Sequence, residues 1–125
     1  MTSLLLDTHA LLWSVGDEHL LSPAAHEMLK AGVVPAYVSV ASIWEIAIKR
    51  ASGKLNAPAN LMEKVAAARF IELGITFEHA IIVGALPPHH RDPFDRMIVA
   101  QAQSEGFTVV TRDERIAAYG VPVLW

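Results

Sequence analysis

The sequence predicts an α/β fold, a central parallel β-sheet flanked by helices on both faces, and three observations lead there. Short apolar or β-branched runs alternate with segments whose apolar residues fall at helical spacing, the pattern of strand–helix–strand units rather than hairpins. The 125 residues have the length of one domain with a single core. No repeat, low-complexity tract or linker divides them.

SLLL (3–6) reads as a strand ending at Asp7, and THALLWSVG as a helix stopped by Gly16. Ser22-Pro23 opens a second helix as cap and first helical residue, running to Gly32. Tyr37, Val38 and Val40 suggest a second strand, followed by the helix SIWEIAIKRASG with Gly53 beyond its end. Pro58 starts the next helix, Ile71 to Thr76 is strand-like, and Glu78 to Leu86 forms a short helix stopped by Pro87-Pro88. Asp92-Pro93 begins FDRMIVAQAQSEG, Gly106 ends it, and FTVVT (107–111) is β-branched. ERIAAYG then leads to VPVLW.

Composition excludes several classes. Hydrophobic residues at 53% supply enough apolar surface to offset chain entropy, which argues against disorder. No apolar run approaches the length of a bilayer span, no signal peptide is recognisable, and there is no cysteine, so a cytoplasmic protein is expected. A net charge of -3 gives no global attraction for nucleic acid, and any such contact must come from a local patch.

Four acids carry the functional signal. Asp7 follows the first strand, Glu45 lies in the first turn of the helix after the second, Asp95 opens the later helix, and Asp113 follows VVT. The carboxyl edge of an open α/β sheet is where ligands bind. Each acid alone has a plain structural reading: Asp7 and Asp113 as N-caps, Ser42 to Glu45 as a capping box, and Asp92 capping a helix with Asp95 three residues on. Glu45 and Lys49 also form an i,i+4 pair. Their apolar company points further, because Ile98 and Val99 follow Asp95 by three and four positions, and Ile48 follows Glu45 by three. Each carboxylate therefore projects near the face that buries. Two carboxylates about 4 Å apart repel by about 4 kcal/mol at an effective dielectric near 20, which a cation or a proton relieves. Oxygen donors without cysteine or a clear histidine pair suit Mg²⁺ or Mn²⁺.

LLLDTHALLW, VSVASIWEIAIKRASGKL, HHRDPFDRMIVAQA and TVVTRDERI, in this order, resemble the PIN-domain nucleases, specifically the VapC-like toxins of toxin-antitoxin pairs. The resemblance covers essentially the whole chain, residues 1–125, as one domain. It implies a PIN-like α/β fold and a Mg²⁺- or Mn²⁺-dependent endoribonuclease site built from Asp7, Glu45, Asp95 and Asp113, the last being the position that varies most. Thr111 and, less directly, Thr8 would hold a carboxylate or a water. Asp92 is a helix cap rather than a ligand.

In this reading RNA phosphodiesters are hydrolysed in line by water that the metal activates, leaving a 5′-phosphate and a 3′-hydroxyl. Lys49, Arg91, Arg96 and Arg112 are candidates for RNA phosphate contacts. His89 and His90, in a Pro-flanked loop, read as surface residues, and His9 as a cover for the sheet or support for the site. Trp13, Trp44 and Trp125 read as core or dimer contacts. The family further implies an antitoxin partner whose C-terminal segment blocks the site, and a homodimer. Two rivals fail on residues. A phosphoacceptor receiver needs paired acids after the first strand, an aspartate after a middle one and a late lysine, and a haloacid-dehalogenase phosphatase needs a second aspartate two after Asp7; none is present. A non-catalytic binding module of the same fold remains the alternative.

Overall fold

The computed structural model describes residues 3–125. β1 (Leu4–Leu6) runs through Asp7 into α1 (Thr8–Ser14), and a 3-10 turn at Glu18–Leu20, absent from the sequence reading, precedes α2 (Pro23–Ala31). β2 (Ala36–Ser39) passes directly into α3 (Val40–Ala51), followed by α4 (Leu61–Ala67), β3 (Ile71–Leu73) and α5 (Phe77–Ala85). α6 (Pro93–Glu105), β4 (Thr108–Val110), α7 (Glu114–Ala117) and β5 (Val123–Leu124) complete the chain.

All five strands are parallel, in the order β3-β2-β1-β4-β5. β1 is central, with Leu5 opposite Tyr37 on one side and Val109 on the other. Its three leucines are wholly buried because the sheet is covered twice. Leu4 and Leu6 join Val38, Val110 and residues of α1 to α4, including Leu11, Ala25, Ile46 and Val65. Leu5 joins Val109, Ile98, Val99 and Ile116 on the other face. The period-2 side-chain alternation of one strand thus feeds two cores. α5 packs along α6 and leaves Phe77 91% and Ile81 74% exposed.

Several boundaries differ from the sequence reading; β3 ends at Leu73 rather than Thr76, and Val40 opens a helix rather than ending a strand. Ser42 does not open α3; Ser39 does, its hydroxyl accepting the Ala41 N–H at 3.0 Å, while Ser42 is buried inside the helix. Glu45 therefore sits in the second turn. α4 starts at Leu61, with Asn60 at the position before it, rather than at Pro58.

Strand order also locates the site. From β1 the chain moves outward to β2 and β3, then returns to lay β4 on the opposite side. The crevice beyond the carboxyl ends of β1 and β4 is thus the topological switch point, the ligand position of open α/β sheets. A receiver domain, with order 2-1-3-4-5, would place it elsewhere.

Candidate active site

The four acids converge on that crevice. Asp7, Glu45, Asp95 and Asp113 line one open cleft of about 750 Å³, with Thr8, His9, Trp13, Lys49, His90, Arg91, Asp92 and Arg112. Asp7 and Asp113 arrive at strand ends, Asp95 in the first turn of α6, and Glu45 from α3, which packs against both α1 and α6.

Hydrogen bonding separates the acids. Asp7 Oδ1 accepts the Ala10 N–H at 2.8 Å and so caps α1, while Oδ2 accepts the Thr111 hydroxyl at 2.5 Å. Glu45 Oε1 accepts the Thr8 hydroxyl at 2.6 Å and Oε2 pairs with Lys49 Nζ. Asp113 Oδ1 accepts the Arg115 N–H at 2.9 Å, and Oδ2 lies 2.9 Å from His90 Nε2. Asp92 Oδ1 takes the N–H groups of Phe94 and Asp95, fixing the start of α6 as the Asp-Pro sequence predicts. Asp95 is left over: its carboxylate sits 3.1 Å from His90 Nε2 and receives no hydrogen bond from the described residues.

The charge states follow from this division. Burial and the neighbouring Asp92, Asp7, Glu45 and Asp113 push the Asp95 carboxyl up to about 8. Burial also raises Asp7, against the pull of Thr111 and the Ala10 N–H. Burial acts upward on Asp113 as well, but hydrogen bonds from Arg115 and His90 hold it below the ordinary carboxylate value. Lys49 is raised by its hydrogen bond to Glu45.

The structure corrects several expectations. Arg96 is not free for RNA phosphate, because its guanidinium donates to the carbonyls of Val83, Leu86, Pro87 and His90 and to Tyr119 Oη. It closes the carbonyl end of α5 and holds the 86–90 loop. His90 is buried, 4% exposed, rather than on the surface. His89 is exposed and meets the edge of the Tyr119 ring. Tyr119 escaped the sequence reading altogether, since the distance in sequence that its loop contacts span gives no local pattern. Trp13 and Trp125 pack against the core, but Trp44 is 57% exposed and contacts Phe94 edge-on. Of the phosphate candidates, Lys49, Arg91 and Arg112 do line the cleft, with Arg112 over the Trp13 ring at 4.7 Å. His9 is exposed beside the same indole, 5.6 Å between ring centres.

The donor set fits a hard divalent cation. It offers carboxylate oxygens from several elements, and burial among other acids pushes one of them, Asp95, toward the protonated form that a cation would displace.

Comparisons with known proteins give the family and the fold. The PIN domain family model matches residues 4–122. The chain is 31% identical over 125 residues to Ribonuclease VapC22 of Mycobacterium tuberculosis (strain ATCC 25618 / H37Rv), an alignment covering 98% of this chain and 95% of that protein. Among solved structures, VapBC2 from Rickettsia felis, bound to a DNA fragment from its promoter, superposes with a TM-score of 0.73 at 13% identity, covering 99% of this chain and 98% of the other. DNA-bound VapBC from Salmonella typhimurium gives 0.73 at 21% identity, with the same 99% and 98% coverage. At such identities the structural likeness speaks for the fold, and the family match and the sequence relative speak for descent. A five-stranded parallel sheet with acids gathered at its switch point, matched over nearly its whole length, makes this chain a member of the PIN-domain family.

Proposed function

We propose that this protein is a Mg²⁺- or Mn²⁺-dependent endoribonuclease acting as the toxin of a toxin-antitoxin pair, with residues 1–125 forming one PIN domain, of which residues 1 and 2 lie outside the described part. The observation that carries the reading is the gathering of Asp7, Glu45, Asp95 and Asp113 in one cleft, where burial and the other acids push the Asp95 carboxyl up to about 8. A fold keeps such a group at a cost, and a divalent ion removes it. Similarity to Ribonuclease VapC22 supports RNA as substrate.

Asp95, Asp7 and Glu45 would hold the ion, with Asp113 beside them. Once bound, it would activate water and neutralise charge on the scissile phosphate. The chain's own residues orient the acids: the Thr111 hydroxyl fixes Asp7, the Thr8 hydroxyl fixes Glu45, and Lys49 pairs with the other Glu45 oxygen. Arg91 and Arg112, exposed at the rim, are placed for RNA phosphates, and Lys49 adds positive charge within.

Partners follow the same reading. Trp44 and Ile48, exposed on α3 beside Glu45 and Lys49, supply apolar footing for an antitoxin segment crossing the cleft, and the VapBC complexes support such a partner. Phe77 and Ile81 give α5 an apolar face for a second copy in a homodimer. Among the described residues no helix is long and apolar enough to cross a membrane, and the proposed location is the cytoplasm.

The test is RNA cleavage with Mn²⁺ or with EDTA, run beside thermal melting of wild type and Asp95→Asn. Cleavage should need the metal, and ligand at about 100 times its dissociation constant should stabilise wild type by about 2.7 kcal/mol. Asp95→Asn should lose both effects while remaining folded. Cleavage that survives EDTA, or that Asp95→Asn leaves intact, refutes the proposal.

A further inference from the structure

Ser42 lies in the first turn of α3, wholly buried, where packing alone would favour an apolar side chain with no hydroxyl to satisfy. It does not cap the helix, since Ser39 holds that place. Its hydroxyl has one hydrogen-bond partner among the described residues, Thr8 Oγ1 at 3.2 Å. Thr8 Oγ1 in turn donates to Glu45 Oε1 at 2.6 Å. All three side chains are buried. Ser42 and Glu45 stand three apart in α3 and so share a face, and Thr8 bridges them from the start of α1. The Thr8 hydroxyl has a single hydrogen to give, and the shorter bond to Glu45 takes it, so Ser42 supplies the hydrogen of the longer one. The tie between the three oxygens is the same whichever of the two hydroxyls donates.

We propose that Ser42 is a positioning residue: acting through Thr8, it locks the first turn of α1 to α3 and so sets how Asp7 and Glu45 stand toward one divalent ion. The proposal rests on the metal-nuclease reading above and adds a residue to it. Thr8 directly follows Asp7, whose Oδ1 caps the same helix by accepting the Ala10 N–H. Asp7 and Glu45 lie far apart in sequence, and the side-chain hydrogen bonds that join α1 to α3 among the described residues are the two at Thr8 Oγ1. Carboxylates brought together repel, and an ion such as Mg²⁺ demands closely fixed ligand geometry. A tie between the two elements that carry them serves both needs. Without the Ser42 hydroxyl, Thr8 keeps one bond in place of two, and the oxygen that holds Glu45 Oε1 is no longer held from behind.

Calorimetric Mn²⁺ titration, melting in EDTA and steady-state RNA cleavage would be measured on wild type, Ser42→Ala, Ser42→Cys, Thr8→Val, Thr8→Ser and the Ser42→Ala/Thr8→Val double variant. Ser42→Ala should stay folded in EDTA and bind Mn²⁺ about 10-fold more weakly, with the KM for RNA little changed and kcat recovering at saturating Mn²⁺. Ser42→Cys, similar in shape but a poor donor, should behave the same way. Thr8→Val should lose at least as much affinity, while Thr8→Ser, which keeps the hydroxyl, should stay near wild type. The double variant should bind Mn²⁺ no more weakly than Thr8→Val, because Ser42 acts through Thr8. It should also melt no lower than Thr8→Val in EDTA, because the serine hydroxyl that Thr8→Val leaves without a partner has gone too. A Ser42→Ala protein that melts lower yet binds Mn²⁺ as wild type does makes Ser42 a packing residue, and fully additive losses of affinity break the path through Thr8; either result overturns the proposal. A wild type that neither binds Mn²⁺ nor cuts RNA refutes the nuclease reading itself. A wild type that does both, with Ser42→Ala equal to it in affinity and rate, refutes only the positioning role.

Discussion

At Asp95 the fold holds a half-buried carboxyl among other acids, with His90 Nε2 3.1 Å away. Removing this group, which the unfolded chain ionises freely and the fold does not, should stabilise the metal-free protein near neutral pH, so Asp95→Asn in EDTA should melt at or above wild type. Asp7 is a less clean probe, because the same side chain caps α1 and binds Thr111. Arg96→Ala strips five hydrogen bonds from the 83–90 carbonyls and Tyr119, and should cost about 1–3 kcal/mol in urea unfolding. The same variant should leave the salt dependence of RNA binding unchanged, whereas losing a true phosphate contact lowers that slope by about one. Residue type alone made Arg96 and Arg112 look alike; their carbonyl and indole partners come from distant segments, and only the fold reveals them. The acids were legible because strand ends and helix starts are marked locally. His90 was not, because the Asp113 it faces lies 23 residues away.

Among the elements, α6 shows how a cap serves a site. Asp92 accepts the N–H groups of Phe94 and Asp95, so it both starts the helix and orients the residue proposed to bind metal. Asp92→Ala should cost about 1 kcal/mol of stability and also weaken Mn²⁺ binding in a thermal-shift titration, although Asp92 is not itself proposed as a ligand. This helix start could be read from Asp-Pro because capping chemistry is contained within a few residues. The start of α3 could not, since Ser39 and Ser42 both suit a cap. Pairing of β2 with β1 and β3 carries strand geometry only to Ser39, which decides between them. Alternating strands and helices were likewise legible from periodicity, whereas the order β3-β2-β1-β4-β5 depends on pairings that no local pattern encodes.

For the molecule as a whole, the acidic cleft sets how stability responds to pH. Below about pH 4 Asp95 is protonated both folded and unfolded; between there and about pH 8 the unfolded chain releases the proton while the folded one keeps it. Stability without metal should therefore fall across that interval, by at most about 1.4 kcal/mol for each pH step of one, and level off above it. Urea midpoints in EDTA at several pH values check this, and Asp95→Asn should flatten the curve. Converting Phe77 and Ile81 to Glu should shift any dimer to monomer in light scattering without loss of fold, since both side chains are already exposed. The bond between Thr111 and Asp7 spans 104 residues, and Leu4 at the start of the central strand lies opposite Thr108. During synthesis Leu4 to Asp7 must therefore wait until Thr108 to Thr111 have left the ribosome before the two halves of the cleft can meet. On the proposed function, a nascent chain stalled before residue 108 should be harmless to the RNA around it, because its cleft is still open in two pieces.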